Sequence, residues 1–375
     1  MAKKKKTKAV RRRRRRRVLF VFELLILLLL VGGIFVYSQL NQRLGQMQES
    51  DLDKSKVEVN EEVAENEEQL SGYQTIALVG LDNRDQSLER GNSDTMIIAS
   101  INNDTKKIKL VSIYRDTYLN IGNDKYTKAN AAYATGGATQ LINMLNTNLD
   151  LDVEDYVSVN FKAVAETIDL LGGLDITLTE QECVHMNNYC VETSEKTGLS
   201  YEPVEPADGT FHLNGVQAVS YARIRYTAGN DFKRASRQRL VIYKMVEAAK
   251  NADLSTLNEI LDTVFPMVAT SLSKADILKM GMIMLTYDLE DQTGFPFDHL
   301  EGETITSATG GLDCVLPITL ENNVTQLHKF LYPDDDYTPS STVKEISDHI
   351  IETTGYGEDD IPKSSEDGEI PATNY

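Results

Sequence analysis

Residues 18–37 (VLFVFELLILLLLVGGIFVY) form a 20-residue run with one charge, Glu23. As a helix rising 1.5 Å per residue, this run spans about 30 Å, the thickness of a bilayer's hydrocarbon core. A cleavable secretory signal has a shorter apolar region followed by a small-residue cleavage site. Here the chain continues as SQLNQRLGQMQ with no A-x-A pattern. The pattern predicts an uncleaved transmembrane signal anchor over 18–38. Residues 1–17 hold five Lys, seven Arg and no acid, and such a block stays on the cytoplasmic side. The expected localisation is therefore a single-pass cell-membrane protein, N-terminus cytoplasmic and everything after residue 38 extracellular. An arginine run such as 11–17 also resembles a nucleic-acid arm. Its position against a membrane span favours topology and attraction to anionic lipid.

Charge separates the body from this leader. Twelve of the 38 basic residues lie in 1–17, so the remaining chain holds 26 bases against 57 acids. A body that acidic is a poor general binder of nucleic acid, and no nucleic-acid partner is expected. Seventeen Tyr, ten Phe and many aliphatics suffice for a packed core. Three Cys and five His exclude a disulfide-dense scaffold and argue against a Cys/His zinc site. Within 39–70, the stretch 49–69 holds nine acids and two Lys and reads as a solvated stalk. A single catalytic domain is expected over 71–335, and the acidic segment 336–375 reads as a disordered tail.

Inside the domain, apolar runs predict strands at 75–81, 95–101 and 108–114, the last two joined as a hairpin through Asn102-Asn103-Asp104-Thr105. A helix is predicted over 137–149, with Leu141, Leu145 and Leu149 on one face. A strand at 155–160, a helix at 161–171 ended by Gly172-Gly173 and a strand at 174–178 follow. Residues 215–222 read as helix, 223–226 as extended and 234–250 as an amphipathic helix. The apolar stretch 277–285 is too short to span a bilayer and reads as a core helix. These elements predict an α/β fold, a layered α-β-α domain with a mixed, partly antiparallel sheet.

Two clusters carry chemistry. The strand pattern brings Asp82, Asp94, Arg115 and Asp116 to one sheet edge. Paired carboxylates there suit a hard divalent cation, which takes one or two carboxylates and shares its remaining ligands with phosphates. The second cluster is YARIRYTAGNDFKRASRQ, residues 221–238, with four Arg in 15 residues of an acidic domain. Arg223 and Arg225 face one way in an extended segment. Arg234, Arg237 and Gln238 share a helix face and fall in the first turn expected for that helix, a place suited to a docked anion. Arg rather than Lys suggests a bidentate grip on phosphate oxygens. Ion pairing to surface acids would account for any one of these Arg; the cluster beside an acidic edge favours a phosphate site. There is no G-x-x-x-x-G-K-[ST], H-E-x-x-H or G-x-S-x-G.

Seven ordered segments, GLDNR (80–84), SDTM (93–96), SIYRD (112–116), KANAAY (128–133), LGGL (171–174), YARIR (221–225) and DFKRASRQ (231–238), resemble the LytR-CpsA-Psr family. The resemblance covers roughly 71–250 and extends toward 335. It implies an extracellular enzyme, attached to the membrane, that moves a glycopolymer such as teichoic acid or capsule from a polyprenyl-pyrophosphate carrier to peptidoglycan in Gram-positive walls. By motif, Asp82 and Asp94 match the carboxylates for Mg²⁺ (or Mn²⁺). Arg115, Arg223, Arg225, Arg234 and Gln238 match the pyrophosphate grip, and Arg84 and Lys128 its rim. Arg115 and Arg223 are expected to act in catalysis, with Asp116 and Asp231 the candidates for general base; Arg237 joins the substrate-binding set. One departure is Asn92, where the family often has Arg two residues before the second Asp; Arg90 lies nearby. The partners implied are the lipid-linked glycan, peptidoglycan and the membrane. The alternatives are a polyprenyl-pyrophosphate phosphohydrolase and a non-catalytic lipid-binding or regulatory protein.

The exported side also favours disulfides. Cys183 and Cys190 flank Asn187-Asn188, whose turn chemistry predicts a 183–190 bridge, with Cys190–Cys314 the next choice. A regular helix over 180–190 would instead hold the pair about 10.5 Å apart along its axis, beyond bonding distance.

Overall fold

The computed structural model describes residues 52–65, 72–81, 91–225, 230–334 and 336–361, with Gly45 and Met47. The segments expected at 1–17 and 18–38 lie outside the described residues, as do Asp82, Arg84 and Arg90. Among the described residues, no helix is long and apolar enough to cross a membrane. The described residues from Met47 onward belong to one compact unit.

A short helix, α1 (Glu61–Glu65), precedes β1 (Tyr73–Leu81), β2 (Ser93–Asn102), β3 (Lys107–Ile113), β4 (Tyr118–Asn120), β5 (Tyr126–Lys128) and α2 (Ala131–Leu149). Then come β6 (Asp155–Asn160), α3 (Phe161–Leu170), β7 (Leu174–Leu178), α4 (Glu180–Thr197), β8 (Gly209–Leu213), α5 (Gly215–Ala222) and α6 (Asn230–Asn251). The chain continues through α7 (Leu254–Val264), β9 (Val268–Thr270), α8 (Lys274–Thr286), β10 (Asp288–Phe295), β11 (His299–Leu300) and α9 (Glu303–Ala308). It closes with β12 (Leu316–Pro317), α10 (Leu320–Leu331) and α11 (Ser341–Thr354).

The central sheet has six strands in the order β10-β3-β2-β1-β6-β9. β2 pairs antiparallel with β1 and β3, while β1–β6 and β3–β10 are parallel, so the sheet is mixed as expected. Alternation along the strands sorts their side chains to two faces. Ala77, Val79, Met96, Ile98, Val111 and Ile113 pack with Tyr133, Leu141, Leu145 and Leu149 of α2 and with Val324 and Leu327 of α10. Ile76, Ile97, Ile101, Ile108 and Leu110 pack with Ile242 of α6 and with Ile277 and Ile283 of α8. Helices thus cover both faces, giving the α-β-α layering. A separate core, built by Ile168, Ile176, Leu178, Cys190, Leu213, Val216 and Val241, joins the antiparallel β7–β8 pair to α3, α4, α5 and α6.

Several expectations need correcting. The tail does not begin at 336. Val343, Ile346 and Ile350 place an apolar stripe of α11 in the main core at i, i+3 and i+7. The stalk is not wholly solvated either. Asn60 is buried, and its amide donates to the Asp150 carboxylate, the Thr147 carbonyl and Ser340 Oγ. Asn143 and Asn146 of α2 bind the backbone of Lys56 and Glu58. The domain therefore runs from about residue 52 to 361, and the remainder of the tail lies outside the described residues.

The disulfide is not formed. Cys183 and Cys190 are free and lie on α4, a regular helix opened by a Thr179–Glu182 capping box. The capping signal overrides the Asn-Asn turn signal. Cys314 is also free, which removes the second pairing. Residues 223–225 of the segment expected as extended at 223–226 are not a strand, and 226 lies outside the described residues: Arg223 is helical at the end of α5 (φ −97°, ψ −9°). The 277–285 stretch is a helix, but Ile283 is its only residue in the fully buried class.

Candidate active site

Sheet topology delivers the first half of the cluster. Leu81 ends β1 opposite Ser93, after a register shift at Gly80/Leu81, so β1 and β2 meet at the edge where Asp94 stands. Gly80 is required for this approach, since a Cβ there would lie 2.9 Å from Thr95 Cβ. β3 runs back and releases Arg115 and Asp116 at the same edge. The β4–β5 hairpin adds Lys128. The second half comes from α6. That helix begins at Asn230, four residues earlier than expected, so its first turn holds Asp231, an acid suited to the helix dipole, and Arg234 falls beyond it.

These side chains converge. Arg115 Nη1 donates to Asp94 Oδ1 at 2.7 Å, and Arg115 Nε lies 3.4 Å from Asp116 Oδ2 and 3.5 Å from Asp231 Oδ2. Lys128 Nζ stands 3.2 Å from Asp116 Oδ1. Arg225 lies 3.5 Å from Asp231 and 3.9 Å from Asp94. Arg234 contacts Asp231 at 3.2 Å and donates to the Asp94 carbonyl at 3.3 Å. Four cations thus surround three carboxylates.

The carboxylates differ in character. Burial raises the Asp116 pKa, and its hydrogen bond with Asp231 raises it further, against Arg115 and Lys128. Burial would raise Asp231 too, but Arg234, the Asp116 hydrogen bond, Arg115 and Arg225 hold it below the usual value. One proton is thereby favoured on Asp116 while Asp231 stays ionised. Burial pulls the Arg234 guanidinium down to about 10. Arg115 is moved the other way: burial opposes its charge, but Asp94 and Asp116 more than offset that.

A small cavity of about 10 Å³ sits among Asp94, Ser112, Arg115, Asp231, Arg234 and Gln238. Ser112 Oγ, Arg115 Nε and Arg234 Nε are buried and have no hydrogen-bond partner, while Asp231 Oδ1 is held only by its ion pairs with Arg234 and Arg225. Buried polar atoms are normally satisfied. Three unmet donors around one space, on Ser112, Arg115 and Arg234, mark a place built to receive an oxygen atom. Asp94 supplies a hard oxygen ligand, and Asp82 follows Leu81, the partner of Ser93, in sequence. That donor chemistry fits a divalent cation shared with phosphates. Among the described residues, no three His, Cys, Asp or Glu form a metal-binding group.

Two residues of the expected grip are engaged elsewhere. Arg223 donates to Glu192 and Thr193 on α4, each at 2.8 Å, and lies over the Phe161 ring. Arg237 is buried, with Nε and Nη2 on Glu182 Oε1 at 3.1 and 2.8 Å and Nη1 on the Ile224 carbonyl. These two guanidiniums tie α4 to α5 and α6. One feature was missed: Tyr114, Phe232 and His299 pack beside the cluster, edge-on for Tyr114–Phe232 with centroids 4.6 Å apart and tilted for Phe232–His299 at 4.5 Å. Burial lowers the His299 pKa, so the ring is neutral. Phe232, inside DFKRASRQ, was the available signal.

The LytR_cpsA_psr family model matches residues 34–296. A polyisoprenyl-teichoic acid–peptidoglycan teichoic acid transferase, TagU, from Enterococcus faecalis is 34% identical over 212 residues, covering 56% of this chain and 64% of that protein. Its namesake from Halalkalibacterium halodurans is 30% identical, covering 64% and 74%. Among solved structures, protein gbs0355 from Streptococcus agalactiae shares the fold (TM-score 0.59, 23% identity, 74% of this chain and 93% of that one).

Proposed function

Because this chain belongs to the LytR-CpsA-Psr family, we propose that it transfers a glycopolymer from a polyprenyl-pyrophosphate carrier to peptidoglycan, forming a phosphodiester link. The observation that carries this reading is the set of three unmet buried donors on Ser112, Arg115 and Arg234 around one cavity in a net-cationic cluster. A pyrophosphate oxygen would accept from those donors.

In the proposed reaction, a peptidoglycan sugar hydroxyl attacks the sugar-proximal phosphorus. The bond from that phosphorus to the bridging oxygen breaks, and polyprenyl phosphate leaves. Arg115, Arg225 and Arg234 hold the phosphate oxygens and neutralise charge as it develops. Lys128 and Gln238 flank them. Asp116 in its ionised form takes the hydroxyl proton, because its raised pKa makes it a stronger base than Asp231. Asp231 keeps the three Arg aligned. A Mg²⁺ or Mn²⁺ ion would be held by Asp94 and Asp82 and would supply additional charge neutralisation on the phosphates. The apolar run 18–37 would anchor the protein, cytoplasmic N-terminus and extracellular domain, where a lipid-linked donor is available.

The test is to reconstitute the full chain with a lipid-linked teichoic acid precursor, Mg²⁺ and peptidoglycan fragments. Polymer covalently attached to the fragments is the expected product. Release of polymer phosphate independent of acceptor would identify a phosphohydrolase instead, and absence of any turnover would overturn an enzymatic role.

A further inference from the structure

Of the seven large apolar side chains exposed among the described residues, five fall between 254 and 285: Leu254, Leu278, Met282, Met284 and Leu285. α8 is the focus. Ile277, Met280 and Ile283 face the sheet core. On the outer side, Leu278, Met282 and Leu285 recur at i, i+4 and i+7, with Met282 66% exposed. A helix apolar on both sides is expected to be covered on both.

Chain connectivity indicates what covers it. Met47 packs against the small core of Ala163 of α3, Val264 of α7 and Val268 of β9. β9 is the edge strand through which α7 leads into α8. Only ten residues separate Tyr37, where the apolar run ends, from Met47, a reach of at most about 35 Å. The β9 edge is thereby tethered within that distance of the anchor's outer end. Lys274 and Lys279 on α8 suit anionic headgroups.

We propose that the outer face of α8, centred on Met282, lies in the headgroup–acyl boundary of the bilayer, so that the domain rests on the membrane rather than standing off it. This rests on the anchored reading above. It goes beyond that reading by assigning the face that meets lipid.

The sequence contains no Trp, so a single introduced indole reports one position. The full chain carrying Met282→Trp is placed in liposomes of phosphatidylglycerol and phosphatidylcholine, with and without bromine on the upper acyl chain. The control is Thr325→Trp, on an exposed position of α10, in the helical layer across the sheet. Met282→Trp should show blue-shifted emission and lose intensity to brominated lipid, while Thr325→Trp should show neither. Equal, unquenched emission from both, in protein that floats with the liposomes, overturns the docking and leaves the anchor and transfer reading standing. Blue-shifted but unquenched Met282→Trp emission that depends on protein-to-lipid ratio assigns the face to a second copy and also overturns it. Failure of the unsubstituted chain to float overturns anchor and docking together. None of these readouts depends on turnover.

Discussion

Replacing Arg237 with Ala should destabilise the protein without entering the chemistry. Arg237 has a relative exposure of 4%, and it gives Glu182 two charge-assisted hydrogen bonds and the Ile224 carbonyl a third. Removing one partner of a buried pair typically costs about 3–5 kcal/mol. Glu182 keeps the Thr179 N–H at 3.0 Å after the loss, and its side chain is 18% exposed. The low end applies, about 3 kcal/mol, or roughly a hundredfold in the folded-to-unfolded ratio. Arg237→Lys should fall between, because it keeps charge and loses the fork. Urea unfolding in detergent, followed by tyrosine near-ultraviolet dichroism, measures the shift. A pH series adds a signed check. Burial works to raise the Glu182 pKa, but the Thr179 amide and Arg237 bring it below 4.5. The stability it contributes is therefore full above about pH 4.5 and is lost as pH falls through the lower folded value. Arg237→Ala should flatten that acid slope. An unchanged midpoint with abolished turnover would refute this reasoning and return Arg237 to the substrate set.

Asp94→Ala should remove Mg²⁺-stimulated turnover while leaving the unfolding midpoint close to that of the parent, as a metal titration of rate would detect. Arg115→Ala should weaken transition-state binding by about 1.5–3 kcal/mol per charge-assisted bond lost, with poor rescue by Lys, read from kcat/KM. If Asp116 is the base, turnover should rise with pH through its raised pKa and Asp116→Asn should erase that limb; a retained limb assigns it to another group. Cys183 and Cys190 should react with a thiol reagent only on unfolding, since both are buried and unbridged; a 183–190 linked peptide under non-reducing mapping would contradict the helix.

The sheet was legible because its strands are short apolar runs punctuated by turn residues. All three strands, expected at 75–81, 95–101 and 108–114, lie in or within one residue of β1, β2 and β3. Their direction placed Asp94, Arg115 and Asp116 on one edge without side-chain information. Local signals failed where a tertiary contact or a competing cap decides. Spacing could not show that Glu192 and Glu182 of α4 reach Arg223 and Arg237. The 183–190 segment read as a turn because Asn187-Asn188 outweighed Thr179-x-x-Glu182, the stronger signal. Residues 336–361 read as tail because their acids masked the apolar stripe at Val343, Ile346 and Ile350.

The clamp around Asn60 has a mechanical consequence. Asp150, in a left-handed conformation (φ +51°), accepts from Asn60 on one oxygen and from Tyr337 and the Ser340 amide on the other. Glu62 further binds Ser341. A pull that has freed Met47 from the β9 edge therefore next meets α2 and the start of α11 before it meets β1. The hydrogen bonds that resist it are those of Asn143, Asn146 and Asp150, spread along one helix and across to another. Tension would be diverted into the helical layer, and the strand edge that bears Asp94 and Arg115 would be shielded from load.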